Sequence, residues 1–334
     1  MLERSDKTDM HELAIQHPSV TLAALRARYE QMRHSAFFDE KENRWNHALH
    51  PDGKPMDIGG RLSTELIASA LDAALGLATA KQAFKLAAER YRGPNERWRF
   101  SENEELYISH QLLGTYLLAQ ADPTAGAREL EALRREPFYR EDETTGVRGW
   151  TFKEPRDEEE EEYPRFRDHG HWEDNSSHMY TREQLLALLV EIRTGHPEAQ
   201  AHWRALRAAA FDEDRGLWKT TLKGGGALDT ETYQCSDQLL SILVEAASAP
   251  ARARHAYHAL RENSIFYDAV HEHWRTRATF SPDGHLLDLG AGTLSVEEQI
   301  LALLVETELG KIENAARQAD TDAIPSLLRI NGAA

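Results

Sequence analysis

The sequence predicts an all-α protein built as a two-layered ring, an α/α toroid (barrel) of five to six helical hairpins, with short β-hairpins in the long loops on one face. Three observations predict it. A tryptophan recurs at Trp45, Trp98, Trp150, Trp218 and Trp274, in a degenerate repeat of fifty to seventy residues. An aromatic stands seven residues before the Trp in four units, at Phe38, Tyr91, Phe211 and Tyr267; the third unit, with Phe138 and Tyr139, is stretched. After each Trp an apolar helical run opens on one triplet: Gln111-Leu112-Leu113, Gln184-Leu185-Leu186, Gln238-Leu239-Leu240 and Gln299-Ile300-Leu301, with Glu65-Leu66-Ile67 in the first unit. Self-similarity at such a period is the signature of a repeat architecture, in which each unit adds to one continuous core.

Two kinds of helix alternate along the chain. The first is amphipathic and rich in charge, at about 20–35, 79–92, 124–135, 197–210 and 250–263. Apolar residues at helical spacing with Arg and Glu between them give each one a single buried face. The second kind is more apolar, at about 63–77, 102–120, 178–194, 236–247 and 295–308. Stretches such as LLALLVEI are apolar nearly all round, which predicts burial on most sides. Turns from an apolar helix to the next amphipathic one are short: Gly76 to Thr79, Ala121-Asp122-Pro123, Gly195-His196-Pro197, Ser248-Ala249-Pro250 and Gly310. Gly ends a helix and Pro begins the next at its first turn. The return links are long and carry the Trp, so alternating helices place all long links on one face.

Two of those links carry hairpin turns, His50-Pro51-Asp52-Gly53 and Ser281-Pro282-Asp283-Gly284, with Pro and Gly where a tight turn takes them. Thr276 to Phe280 and His285 to Leu289 flank the second as strands, and Gly224-Gly225-Gly226 marks a further bend. The third link is the exception. Residues 136–177 form a long acidic insert with five consecutive acids, Glu158 to Glu162; a link of that length reads as a lid or a solvated insert. The whole chain, 1–334, reads as one domain. Lys311 to Ala319 is a candidate sixth outer helix, with Met10 to Gln16 as its partner in closing the ring.

Bulk properties limit the function. The formal net charge is −17, which argues against nucleic acid or an anionic membrane as partner, since both need a basic face. No apolar run approaches the roughly 18 residues that span a bilayer, and the first residues are charged where a secretory signal would be apolar. The expectation is a cytoplasmic protein; its oligomeric state is not legible. The single cysteine, Cys235, excludes an intrachain disulfide and a cysteine-based zinc site. It stands where an inner helix begins, a place that lowers a thiol pKa, although a small residue packed at a helix start is the plainer reading.

The pattern aromatic-Asp-x-x-x-x-Leu/Arg-Trp, followed by a hairpin and a helix opening on Ser/Thr…Gln-Leu-Leu, resembles the α/α-toroid proteins of the six-hairpin glycosidase type. Phe211-Asp212-Glu213-Asp214-Arg215-Gly216-Leu217-Trp218 is the clearest instance. The resemblance covers nearly the whole chain and is architectural; no single family's catalytic signature matches. It implies a pocket on the loop face and one of the activities these toroids host: glycoside hydrolase, polysaccharide lyase or sugar epimerase.

Candidate chemistry therefore lies just before each inner helix. Carboxylates precede the marker residues by seven to eleven positions at Asp57, Glu102, Glu104, Asp174, Asp229, Glu231 and Asp288. Sugar chemistry commonly needs two carboxyl groups flanking one bond, whereas an acid near a helix N-terminus also serves as a cap. The densest cluster runs from Asp168 to His178 and holds His169, His171, Trp172, Glu173 and Asp174. His171 or His178 suits a general base near neutral pH, Asp174 an acid or base, and Trp172 a stacking platform for a sugar ring. Immediately before the markers stand Thr64, His110, Glu183, Asp237 and Glu298, placed either to line the mouth or to satisfy backbone donors. The catalytic candidates are Asp174, His178, His171, Asp237 and Glu104; the substrate-binding candidates are Trp172, Asp57, Asp229 and His110. No recognised metal spacing is present, and neither a metal nor a cofactor is expected. The Gln row is expected to bond loop backbone and tie the hairpins down, and each aromatic–Trp pair to pack a hairpin onto the helices.

The first reading is a carbohydrate-active enzyme acting on a small-molecule or oligosaccharide substrate through carboxylate and His acid–base chemistry. The alternative is a non-catalytic helical-repeat module that binds a protein or peptide, for which the acidic insert suits a basic partner. A terpene-cyclase-like toroid ranks lower. The DDxxD pattern is missing, and Asp320-Thr321-Asp322-Ala323 only partly matches DxDD.

Overall fold

The computed structural model describes residues 21–50, 52–56, 61–93, 95–99, 107–136, 139–141, 148–151, 179–222, 231–262, 265–281, 283–289 and 294–331. Five apolar helices form the inner layer: α2 (Arg61–Ala74), α4 (Ile108–Ala121), α6 (Thr181–Thr194), α8 (Cys235–Ala246) and α10 (Val296–Asn331). Five amphipathic helices alternate with them outside: α1 (Leu22–Arg33), α3 (Ala80–Tyr91), α5 (Pro123–Leu133), α7 (Ala199–Ala210) and α9 (Pro250–Glu262). Each inner helix packs on the next, and α10 packs back on α2, so five inner helices close the ring. Lys311 to Ala319, the candidate sixth outer helix, instead continues α10, which runs through Gly310 without a break. Met10 to Gln16 lies outside the described residues. Outside the ring's closing position, α1 packs against α10.

The short turns are built as the residues dictate. Thr79 and Gln82 form a reciprocal capping box at α3. Asp122 caps α5, with Pro123 at its first position. Gly195 ends α6 in the left-handed conformation (φ 72°) that only glycine adopts without strain.

The opposite face carries the hairpins. Four pair the aromatic with the Trp across an antiparallel ladder: Phe38↔Trp45, Tyr139↔Trp150, Phe211↔Trp218 and Tyr267↔Trp274. In the second unit the register moves by one, and Arg92 pairs with Trp98. The stretched third unit accommodates its extra residues between Tyr139 and Trp150 without losing the pair. Ring centroids in the four pairs lie 4.8–5.3 Å apart, tilted or edge-on, as aromatic quadrupoles prefer. Neighbouring loops also join. Leu294–Ser295 pairs with Ala48–Leu49, so the last loop closes on the first, and Glu231–Gln234 pairs with Arg277–Phe280. Both expected tight turns form, with Gly53 (φ 81°) and Gly284 (φ 85°) in the left-handed region.

The marker residues clamp these hairpins to the ring. In each of four units one Gln side chain takes the Trp N–H and returns an N–H to the same Trp carbonyl: Gln111 with Trp98, Gln184 with Trp150, Gln238 with Trp218 and Gln299 with Trp274, at 2.7–3.0 Å. In the first unit Glu65 accepts from the Trp45 N–H at 2.6 Å. Beneath one clamp the packing is close enough that a Cβ on Gly114 would lie 2.0 Å from the Trp98 ring.

Seven residues after the marker, a second row of acids ties inner to outer helices. Glu191 pairs with Arg134 and His202, Glu245 with Arg252, and Glu306 with Arg28, Tyr257 and Arg261. Among the described residues no helix is long and apolar enough to cross a membrane.

Candidate active site

The clamp sets the direction of the residues before it. A helix turns about 100° per residue. With the marker side chain turned toward its hairpin, the residue two before it is rotated by about 200°, toward the ring axis. Ten residues occupy the two positions before the markers: Ser63 and Thr64, Ser109 and His110, Arg182 and Glu183, Ser236 and Asp237, Glu297 and Glu298. Nine are buried. Arg182 alone among them reaches solvent, its side chain 22% exposed. All five inner helices thus bring polar groups together at the loop end of the barrel.

Glu297 is the anchor of the group. Its two oxygens are held by Arg182 (Nη2 to Oε1, 2.5 Å) and by the Ser63 hydroxyl, which donates to Oε2 at 2.5 Å. Burial pushes its pKa up, but the Arg182 charge, His47 and the two polar contacts prevail and hold the carboxyl below its ordinary range. The neighbouring acids are in the opposite condition. Burial raises Glu183 to about 7 against the pull of Arg182, and burial with repulsion from Glu297 raises Glu298 to about 7. Asp237 is pushed well above the carboxylate range by burial, against Arg182 and with repulsion from Glu183, Glu298 and Glu297. Burial, then Arg182, lowers His110 to about 4, so its imidazole is neutral. The site at neutral pH therefore holds one ionised carboxylate, a protonated Asp237, two carboxyls poised near 7 and an uncharged imidazole.

Both carboxyl oxygens of Asp237, Oε2 of Glu183 and Oε2 of Glu298 have no hydrogen-bond partner in the described protein. Buried polar atoms are normally satisfied, and leaving one bare costs about 1–3 kcal/mol. Three such groups, from three helices, leave donors and acceptors open to a ligand. Carboxyls whose environments drive their protonation apart are also what acid–base chemistry requires. Among the described residues, the metal-compatible groupings of His and acid lie elsewhere.

Of the sequence candidates, the structure brings Asp237 and His110 into this cluster, with Glu183, Glu298 and Thr64 from the same row. Asp174, His178, His171, Glu104, Trp172, Asp57 and Asp229 lie outside the described residues, as do the Asp168–His178 cluster and most of the 136–177 insert. Asp288 is not part of the group; it pairs with Arg277 on a solvent-exposed hairpin, 3.0 Å away. Cys235, which a helix N-terminus alone would acidify, is pushed well above its usual pKa by burial and by Glu298 and Asp237, which leaves it a packed, protonated thiol. Sequence reasoning missed Ser63, Arg182 and Glu297. A signal existed: two before the marker, three units have serine, while the other two carry Arg182 and Glu297, a complementary pair.

No protein-family model and no curated protein matches the chain. In fold it is similar to the cellobiose 2-epimerase from Bacillus thermoamylovorans B4167, at a TM-score of 0.50 and 10% identity over 88% of this chain and 99% of that one. A family 76 glycoside hydrolase (mannosidase) from Bacteroides thetaiotaomicron VPI-5482 aligns at 0.48 and 8% over 88% and 99%. A family 105 glycoside hydrolase from C. acetobutylicum ATCC 824 aligns at 0.43 and 13% over 88% and 92%. The α/α-toroid fold is shared; at such identities the likeness extends to the fold alone.

Proposed function

We propose that the protein is a carbohydrate-active enzyme whose acid–base chemistry takes place at the mouth of the inner helix ring. The observation that carries this reading is the buried cluster in which Glu297 is kept ionised by Arg182 while Asp237, unpartnered, stays protonated beside it. Glu297 supplies a fixed negative charge or a base. Asp237, Glu183 and Glu298 supply protons, and neutral His110 supplies a further acceptor or donor. This suits a glycoside hydrolase, lyase or epimerase acting on a small saccharide, the class of substrate for which the cellobiose 2-epimerase of similar fold is named. The 136–177 insert, with Asp174, His171 and Trp172 in it and His178 directly after it, remains a proposed lid over the same mouth, and Glu104, Asp57 and Asp229 proposed contributors from the other loops.

The test is turnover of the purified protein on a panel of glycosides, uronides and reducing disaccharides, with Arg182→Met alongside. The expected result is turnover of at least one substrate and a loss of about 100-fold or more in Arg182→Met, the usual scale for displacing an acid–base group. Absence of turnover across the panel, or a fully active Arg182→Met, would overturn the proposal.

A further inference from the structure

A second polar cluster lies at the opposite, short-turn end of the barrel and is not explained by the proposed chemistry. Glu191 is in the last turn of α6, His196 is in the turn that follows, and His202 is one helical turn into α7. One ligand-capable atom from each of the three lies within 4.8 Å of the others. Glu191 is buried, its side chain 4% exposed; His202 is 38% exposed. Glu191 Oε2 faces His202 Nδ1 at 2.8 Å, and the other His202 nitrogen, Nε2, lies 3.7 Å from Glu198. Arg134 occupies the remaining Glu191 oxygen, Oε1, and its Nη1 lies 3.3 Å from His196 Nε2. The Glu198 backbone N–H lies 3.3 Å from His196 Nδ1.

Comparison between repeats shows what is unusual. Each acid seven residues after a Gln marker ties helices together, and elsewhere it does so through arginine or tyrosine: Arg252 on Glu245, and Arg28, Arg261 and Tyr257 on Glu306. Arg134 already supplies that tie to Glu191. Around Glu191 two imidazoles are added, and His202, on the outer helix of the fourth unit, stands where the first unit has Arg28, each immediately before the aromatic that packs on a Trp. Replacing a guanidinium by an imidazole forfeits a permanent charge and gains a metal ligand.

We propose that Glu191, His196 and His202 form a divalent transition-metal site, selective for Zn2+-like ions. Two histidines and one glutamate are a common zinc donor set, with the fourth position left to water. Bonds of about 2.0–2.2 Å place tetrahedral ligands roughly 3.5 Å apart, so the three groups close by about 1 Å, which the turn carrying His196 and the half-exposed His202 ring allow. Metal ligands normally have partners of their own that fix their orientation. Arg134 on the far oxygen of Glu191 and Glu198 on the far nitrogen of His202 have that placement. His196 gives up its weak contacts with Arg134 and the Glu198 N–H on binding. A cavity between α6 and α7, walled by Trp150, Leu188, Ala205 and Leu206, reaches Glu191 and His202 and gives the open coordination position a path to solvent. The spacing, Glu-x4-His-x5-His, matches no zinc motif, which is why the sequence does not display it.

Zn2+ titration by calorimetry, together with thermal denaturation, tests the site without reference to sugar chemistry. The background is His271→Ala, which removes the other metal-compatible grouping, Asp268, His271 and His273. The expected result is one equivalent of Zn2+ bound, a rise in Tm on binding, and a loss of affinity of at least about tenfold in both His202→Ala and His196→Ala. His196→Ala changes only a turn side chain, so it reads binding even where His202→Ala is less stable. Failure of Zn2+ to bind at micromolar concentration, or an affinity in either histidine variant equal to that of the His271→Ala parent, would overturn the proposal.

Discussion

Glu65 shows how one residue can depart from a repeat and still obey its geometry. It stands where four units have glutamine, accepts the Trp45 N–H, and is raised to about 7, chiefly by burial, with the Trp45 hydrogen bond and Arg90 opposing. A protonated carboxyl mimics the glutamine; an ionised one does not. A group with a raised folded-state pKa contributes fully below its unfolded value, near 4.5, and loses that contribution as pH rises through about 7. Glu65→Gln should therefore raise Tm at pH 8, by a stabilisation of about 1–3 kcal/mol, and change it little at pH 5. Differential scanning calorimetry at the two pH values checks this; an equal shift at both would show that ionisation of Glu65 is not the cost. The marker row was legible because one side chain does one job in every unit. Arg182 and Glu297 were not, because a pair split between α6 and α10 acquires meaning only when the ring closes.

The element that repeats most faithfully is the hairpin under each Trp, and in three of the five units its turn rests on an Asp after the aromatic. Asp212 accepts from the backbone N–H groups of Asp214 and Arg215 through one oxygen, and from the Tyr233 hydroxyl and Arg215 side chain through the other. Asp39 and Asp268 accept from their own turns in the same way. Asp212→Ala strips these bonds, that from the buried Tyr233 hydroxyl among them. It should cost about 2–4 kcal/mol in urea denaturation; a loss under about 0.5 kcal/mol, the size of an ordinary surface substitution, would mean that the aromatic–Trp packing alone holds the hairpin. All ten helices among the described residues were legible from periodicity and Gly/Pro punctuation, with ends mostly within a few residues. The exception is the end of α10. Gly310 reads as a stop because glycine is a poor helix former, but the residues around it continue the helix against no competing turn, and the sixth outer helix disappears into it. The cross-unit ladders carry no local signal; Leu294–Ser295 and its partner Ala48–Leu49 stand more than two hundred residues apart in the chain.

For the molecule as a whole, the central cluster makes stability depend on protonation. Glu183 and Glu298, each raised to about 7 by burial, and Asp237, raised further, are harmless when protonated and costly when ionised. By the same linkage their contribution is complete below the ordinary carboxylate range and is lost as pH rises through about 7. The protein should melt at a lower temperature at pH 8.5 than at pH 5.5, and Asp237→Asn, which stays neutral, should lessen that difference; a Tm unchanged across this window would contradict the protonation pattern. A repeat supplies five equivalent positions around one axis, and substituting a few of them converts a packing scaffold into a site. That half of the site was visible as a row of polar residues before the markers. Its convergence was not, because it depends on five helices meeting.

Participation of the protonated Asp237 at the ring mouth in proton transfer is tested by kcat/KM of Asp237→Asn on a saccharide the wild type turns over. Asparagine keeps the shape and neutrality of the protonated acid and cannot release a proton. A fall of about 100-fold or more with Tm preserved is expected; unchanged kcat/KM in a folded Asp237→Asn protein would rule that role out.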